Sequence, residues 1–230
     1  IAGTLEDAHA IVAKAEKTGV NLMIAENYRF LSAVLKAKEL VEDGKVGQIR
    51  LIQVQEQYPF EPSGWRNQPE LNGGGVFIDG GIHKASVLAY LAGRPDQVYA
   101  MAVNPGQQGL EAEDGIVLMT RSALGVVGII NHSWSAGPVT TRPWVAISGT
   151  QATLYFELGE PWLKIIDGTS EEIMGLADDY RGLVPMVQEF RQSILEVRDP
   201  AMTGAEAIDD LVLVLKAYES MELGLPVLLD

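Results

Sequence analysis

Residues 73–83 read GGGVFIDGGIH and lead directly into an apolar run with helical spacing. Five glycines fall within nine of these residues, and glycine lets another backbone or a ligand approach closely. The pattern predicts a helix over residues 76–91. Asp79 and His83 are four residues apart on it, so both side chains are expected on one face, where they can hydrogen-bond or share a proton.

Two interpretations of Asp79 and His83 follow from this spacing. A carboxylate beside an imidazole fixes the tautomer of the ring, which suits a general base. Alternatively, Asp79 serves the first turn of the helix and His83 is a partly buried structural histidine. A metal site made of Asp79, His83 and a distant glutamate lacks a third ligand at a diagnostic spacing, so no metal is predicted.

The segments around this stretch predict a mixed fold. Thr4 and Asp7 begin a helix that ends at Gly19, residues 20–25 predict a short buried strand, and a second helix stops near Gly44. Two helices, over residues 183–197 and 204–223, close the chain. Further strands are predicted at residues 49–58, 97–103, 115–120, 125–133, 144–148, 152–157 and 162–166. The short turns between several of these strands favour antiparallel hairpins.

Composition narrows the classes of function. The chain has 230 residues and a net charge of -14, so a phosphate-backbone partner would be repelled and nucleic-acid binding is not expected. The absence of cysteine excludes disulfides and thiolate chemistry and agrees with a cytoplasmic location. The sequence contains neither an apolar run long enough to span a bilayer nor a signal-peptide pattern, so no membrane partner is predicted.

An ordered series of motifs resembles the glucose-fructose oxidoreductase/inositol dehydrogenase/MocA family. The stretch GGGVFIDGGIHKASVLAYLAG is similar to that family's GGGxxxDxGxH helix. ENYRF at residues 26–30, GKVG at 44–47, GWR at 64–66 and the closing TGAEAIDDL with YESMELGLPV are similar to other parts of it. The resemblance covers nearly the whole chain. It implies an α+β fold in which helices pack on one face of an open, mainly antiparallel sheet.

The resemblance also implies roles for particular residues. Asp79 and His83 would be the catalytic acid/base pair, with Asp79 orienting His83. Tyr28 and Arg29 would border the nicotinamide of NAD or NADP, and Trp65 and Arg66 would lie over the mouth of the site. From pattern alone, Arg29 is equally well interpreted as a solvated residue, and Trp65 as a core anchor. His9 and His132 are interpreted as structural, and Glu113 and Asp114 as part of a solvated loop.

The family's dinucleotide-binding GxGxxG loop and its EKP motif do not occur in the 230 residues. We therefore expect residues 1–30 to be the end of a Rossmann domain and residues 31–230 to be a substrate-binding and dimerisation domain. The chain is expected to be a fragment that binds no nicotinamide cofactor by itself. The parent would be an NAD(P)-dependent oxidoreductase of a sugar, polyol or related hydroxyl compound, forming a homodimer or tetramer through the sheet face. The alternative is a non-catalytic ligand sensor or scaffold with the same fold.

Overall fold

A computed structural model describes residues 1–103, 112–137, 142–178 and 181–229. Within these ranges the chain forms one sheet of nine strands, in the order β8-β7-β6-β5-β1-β4-β3-β2-β9. The strands are β1 (Ile49–Gln57), β2 (Gln97–Ala102), β3 (Gly115–Arg121), β4 (Val127–Ser133), β5 (Val145–Gly149), β6 (Thr153–Phe156), β7 (Trp162–Asp167), β8 (Ser170–Gly175) and β9 (Val227–Leu228).

All neighbouring strands of this sheet are antiparallel except the central pair, β1 and β4, which is parallel. The sheet therefore consists of two antiparallel parts, β4-β3-β2-β9 and β8-β7-β6-β5-β1, joined along β1 and β4. The predicted class, α+β with an open and mainly antiparallel sheet, is confirmed.

Helices cover one face of the sheet. They are α1 (Leu5–Thr18), α2 (Ser32–Glu42), the short α3 (Pro69–Asn72), α4 (Ile82–Ala92), α5 (Leu183–Glu196) and α6 (Gly204–Leu223). α4 packs on β1 and β4, and α6 packs on β2. Alternate residues of each strand point to this covered face, so Ile52 and Val54 of β1 and Ile130 of β4 are fully or almost fully buried in one core.

Two of the predicted elements differ in the structure. The strand predicted at residues 20–25 is not formed: these residues belong to no strand, and Ile24 N donates to Met202 O at 3.1 Å. The helix predicted over residues 76–91 begins with a π-helical turn, Phe77–Gly81, before α4 continues it. The domain boundary at residue 30 stays a prediction.

Among the described residues, the longest helices are either too short or too polar to cross a bilayer. The same residues contain no group of three histidine, aspartate or glutamate side chains arranged to hold a metal ion.

Candidate active site

The candidate site lies where β1 and β4 end. Because these strands are parallel, their carboxyl ends meet at one edge of the sheet, with Glu56 opposite His132 in the register. The chain continues the pairing beyond both strands, since Tyr58 N donates to Ser133 O at 3.1 Å. Trp134 Nε1 then donates to Tyr58 Oη at 3.3 Å. This edge brings residues about 75 positions apart in the sequence into contact.

A π-helical turn, Phe77–Gly81, passes over this edge and carries Asp79. A Cβ atom on Gly80 would lie 2.8 Å from His132 Nε2, and one on Gly81 would lie 2.2 Å from the ring of Phe77. Gly80 therefore lets the turn approach the sheet edge closely, and Gly81 leaves room for the Phe77 ring within the turn itself. π-helical turns inside helices are rare and occur frequently at functional sites.

His83 is bound by a carboxylate that sequence analysis did not single out. Its Nδ1 lies 2.8 Å from Glu26 Oε1 and 2.7 Å from Glu26 Oε2, and Glu26 is buried. The Glu26 oxygens accept from Nδ1–H, so Nδ1 carries a proton and any base function of the ring falls to Nε2. The Tyr28 ring stacks on His83 with centroids 4.5 Å apart. The imidazole is thus fixed in both tautomer and orientation.

Asp79 has a different partner, because Arg66 Nε donates to Asp79 Oδ2 at 2.7 Å. The expectation that Asp79 orients His83 is therefore wrong: Glu26 does so. The i,i+4 argument assumed an α-helix, but in a π-helical turn the hydrogen bonds run from i to i+5, so the residues that lie above one another change. Arg66 also lies 4.3 Å from the centroid of the neighbouring Trp65 ring, which is half-exposed.

Beneath His83 lies a buried lysine that sequence analysis missed. Lys84 is 1% exposed; its Nζ donates to Gly80 O at 3.0 Å and forms an ion pair with Glu56. Burial lowers the pKa of Lys84, and the charge of Glu56 opposes that shift. The signal was present in the sequence, since Lys84 interrupts an otherwise apolar helix, IHKASVLAYLA.

His132 completes this buried layer. Its Nδ1 lies 3.0 Å from the carbonyl oxygen of Glu56, which can only accept, so Nδ1 is the protonated nitrogen. Burial, and then the charge of Lys84, lowers the pKa of His132 to about 3, so the ring is neutral at physiological pH. Its Nε2 atom is buried without a hydrogen-bond partner among the described residues.

Tyr28 and Arg29 are adjacent in the sequence but lie in different surroundings. Tyr28 contacts His83, and burial together with the nearby Glu56 raises its pKa to about 12. Arg29 is buried, with Nε donating to Ser86 Oγ at 2.7 Å and ion pairs to Glu206 at 2.9 Å and Asp210 at 3.2 Å. Most of its five donors therefore bind groups inside the protein. Arg29 is not a solvated residue, and its surroundings differ from those of Tyr28, which contacts His83.

Glu113 and Asp114 are not a solvated loop, as the sequence analysis expected. Asp114 is fully buried and accepts from Ser135 Oγ at 2.9 Å. Glu113 accepts from the backbone amide of Phe77 at 3.0 Å and from Tyr218 Oη at 2.8 Å. Both acidic residues satisfy donors inside the protein, which sequence polarity alone does not indicate.

Comparison with known proteins identifies the family of the chain. Residues 34–155 match the model of the GFO/IDH/MocA C-terminal domain. An uncharacterized protein of Saccharomyces cerevisiae is 27% identical over 186 residues, and the 1,5-anhydro-D-fructose reductase of Ensifer adhaerens is 24% identical over 234 residues. The matches cover 76% and 97% of this chain, but only 52% and 69% of those two relatives. The chain thus spans between half and about two thirds of their length.

Two solved structures share the fold. The aldose-aldose oxidoreductase of Caulobacter crescentus, complexed with glycerol, has a TM-score of 0.87 at 23% identity and covers 99% of this chain and 69% of its own. A levoglucosan dehydrogenase in complex with NADH and levoglucosan has a TM-score of 0.88 at 20% identity, covering 99% of this chain and 71% of its own.

Proposed function

The chain belongs to the GFO/IDH/MocA family, and we propose that it is the substrate-binding part of an NAD(P)-dependent oxidoreductase acting on a sugar, polyol or related hydroxyl compound. The observation that carries this proposal is the hydrogen bond between Glu26 and His83. It leaves Nε2 of His83 as the proton acceptor, four residues along the chain from Asp79. Two relatives named for sugar substrates, the anhydrofructose reductase and a D-apiose dehydrogenase of Rhizobium rhizogenes, support this substrate class.

In this proposal His83 Nε2 takes the proton of the substrate hydroxyl during oxidation and returns it during reduction. Glu26 keeps Nδ1 protonated and compensates the charge that the imidazole gains. Asp79, held by Arg66, accepts a hydrogen bond from a neighbouring substrate hydroxyl. The stacked Tyr28 ring prevents His83 from turning away.

The residues present fit one end of the implied cofactor. Nicotinamide, when bound, supplies the hydride acceptor or donor for the substrate carbon. Trp65 and Arg66, half-exposed beside Asp79, and the Tyr28 ring offer aromatic and cationic surface suited to the nicotinamide side of the site. The 230 residues contain no GxGxxG loop for the diphosphate, so we propose that a preceding Rossmann segment holds it and that this chain alone binds no cofactor. Arg29 is not included, because its guanidinium is paired inside the protein.

We further propose that the protein is a homodimer, or a dimer of dimers, through the uncovered face of the sheet. Met101, Val117 and Met119 lie side by side on that face in the β2–β3 register and are 61%, 42% and 49% exposed. Contiguous exposed apolar side chains on a sheet favour cover by another surface, and a second copy presents a matching one.

The test is calorimetric titration of NAD(H) and NADP(H) into this chain and into a version extended upstream to the natural start of the protein, followed by turnover of a panel of sugars and polyols. Binding and turnover by the extended version only, with a loss of about 10²- to 10⁴-fold in kcat for His83→Ala, is the expected result. His9→Ala, at an exposed position of α1, is the matched control. Absence of cofactor binding in both versions would contradict the proposal and favour a non-catalytic sensor or scaffold.

A further inference from the structure

The turn that carries Asp79 is held at its start by side chains from elsewhere in the chain. The first amides of a helix have no partner within the helix and need one from outside. Here Tyr218 Oη, on α6, accepts from the amides of Gly75 and Ile78, both at 3.1 Å. Glu113 Oε1 accepts from the amide of Phe77 at 3.0 Å, and the Glu113 carbonyl oxygen accepts from Val76 N at 2.9 Å.

The two capping side chains are also bound to each other. Tyr218 Oη donates to Glu113 Oε1 at 2.8 Å, so one hydroxyl serves a carboxylate and two amides at once. Burial raises the pKa of both Tyr218 and Glu113. Their burial costs free energy, and the hydrogen bonds to the start of the turn offset that cost. We refer to Tyr218 and Glu113 as the tertiary cap.

The glycines before the turn fit this cap. A Cβ atom on Gly75 would lie 2.0 Å from Glu113 Oε2, and one on Gly74 would lie 2.7 Å from Tyr218 Oη and 2.9 Å from two ring carbons of Tyr218. At least two of the three consecutive glycines therefore admit protein side chains. The sequence analysis expected another backbone or a ligand at these glycines; Gly75 meets the backbone and side chain of Glu113, and Gly74 meets the side chain of Tyr218.

We propose that Tyr218 and Glu113 are positioning residues for catalysis, because they fix the turn that presents Asp79 to the substrate. Asp79 follows Ile78 directly, so the hydrogen bond from the Ile78 amide to Tyr218 Oη fixes the position of the Asp79 backbone. Loss of the cap lets the turn relax toward an α-helical path and changes the direction of the Asp79 carboxylate relative to His83. The catalytic part of this inference rests on the proposed function.

The first test uses Tyr218→Phe, which removes one hydroxyl, in the upstream-extended protein, with Tyr155→Phe on β6 as the matched control. We expect amide hydrogen exchange in residues 74–83 to become at least ten-fold faster, with the rest of the sheet unchanged. We expect kcat to fall about ten-fold while KM stays within two-fold, since the loss affects orientation rather than uniform binding. Glu113→Gln keeps an acceptor oxygen and should retain activity, whereas Glu113→Ala should not.

The second test is a double-mutant cycle between Gly74→Ala and Tyr218→Ala. If Gly74 accommodates Tyr218, its substitution lowers the melting temperature and kcat in the wild-type background and has no further effect once Tyr218 is alanine. Equal effects in both backgrounds would show that Gly74 does not accommodate Tyr218 and would overturn this part of the inference.

The exchange and turnover measurements separate the two levels of the inference. Unchanged exchange in Tyr218→Phe overturns the cap, whatever the activity. Faster exchange with unchanged kcat overturns the positioning role. An inactive wild-type protein overturns the proposed function and the positioning role with it, while the exchange result still decides whether the cap exists.

Discussion

Glu26 and His83, 57 residues apart in the sequence, are joined by a 2.7 Å contact between Oε2 and Nδ1. Glu26 lies just before the 3₁₀ turn Asn27–Phe30, and its Oε1 also accepts from Tyr28 N at 3.0 Å. The carboxylate therefore fixes both the imidazole and the residue whose ring stacks on it. Orientation of the proposed base depends on this one buried side chain.

Replacement of Glu26 by Gln should lower kcat by about 10²- to 10⁴-fold in the upstream-extended protein. The amide NH₂ of glutamine donates to Nδ1 and thus favours the tautomer that protonates Nε2, which cannot accept the substrate proton. Steady-state kinetics measures the loss, and Glu16→Gln, exposed on α1, is the matched control. A kcat within two-fold of wild type would show that Glu26 does not set the tautomer.

Replacement of Arg29 by Met should lower the free energy of unfolding by about 3–5 kcal/mol at pH 7.5, because it leaves the buried Asp210 without its cation. Burial raises the pKa of Asp210 to about 6 even with Arg29 present, so at pH 5 Asp210 is largely neutral and the loss should be smaller. Urea unfolding at both pH values measures this. Arg94→Met breaks a half-exposed pair with Asp209 and should cost less than about 1 kcal/mol; an equal cost for both variants would contradict the prediction.

The buried His132 should make the protein less stable in mild acid. Its folded pKa of about 3 is below the ordinary value of 6.5, so as pH falls the unfolded chain takes up a proton that the folded chain does not. The stabilisation is present above pH 6.5 and decreases as pH falls toward 3, by about 2 kcal/mol between pH 7 and pH 5.

The variant His132→Asn isolates this contribution, because the asparagine amide can still donate to the Glu56 carbonyl but does not titrate. Subtraction of its unfolding free energies from those of wild type at pH 7, 6 and 5 removes the contributions of Asp210 and the other acids. His9→Asn is the control. A difference that stays constant with pH would refute a neutral buried imidazole.

Replacement of Met119 by Glu should dissociate the proposed dimer, since it places a charge at the centre of the exposed apolar face. Light scattering after size-exclusion chromatography measures the mass of the upstream-extended protein. Leu195→Glu, exposed on α5 and thus on the helical side of the sheet, should leave the assembly intact. A monomeric wild type would remove this face as a homodimer interface.

The local parts of the fold could be predicted from the sequence, and the parts that need a distant partner could not. β1 alternates clearly, and Thr203 with Glu206 forms a capping box at the start of α6, a pattern that can be read from the sequence. β8 is nearly all exposed and carries two glutamates, so it has no apolar alternation to detect. Parallel pairing of β1 with β4 leaves no short turn in the sequence, so the turn signals that favoured antiparallel hairpins gave no indication of it.

The same division holds for the candidate site. Asp79 and His83 stand out because they share one short stretch with its glycines. Their partners, Arg66 and Glu26, come from segments that only the fold brings near them. Lys84 on α4 and Glu56 on β1 form an ion pair, and the spacing of residues along the chain does not predict such a contact.

The parallel pairing of β1 and β4 also has a consequence for the order of folding. β3 pairs with β4 through a short loop, and β5 to β8 pair with their neighbours in the sequence through short loops as well, so these hairpins can form locally. Joining β1 to β4 closes a loop of about 75 residues, and such non-local contacts form slowly because the chain entropy is lost before the contacts are gained. Glu56 and His132 meet only when that loop closes, so the candidate site should be completed late when the chain refolds.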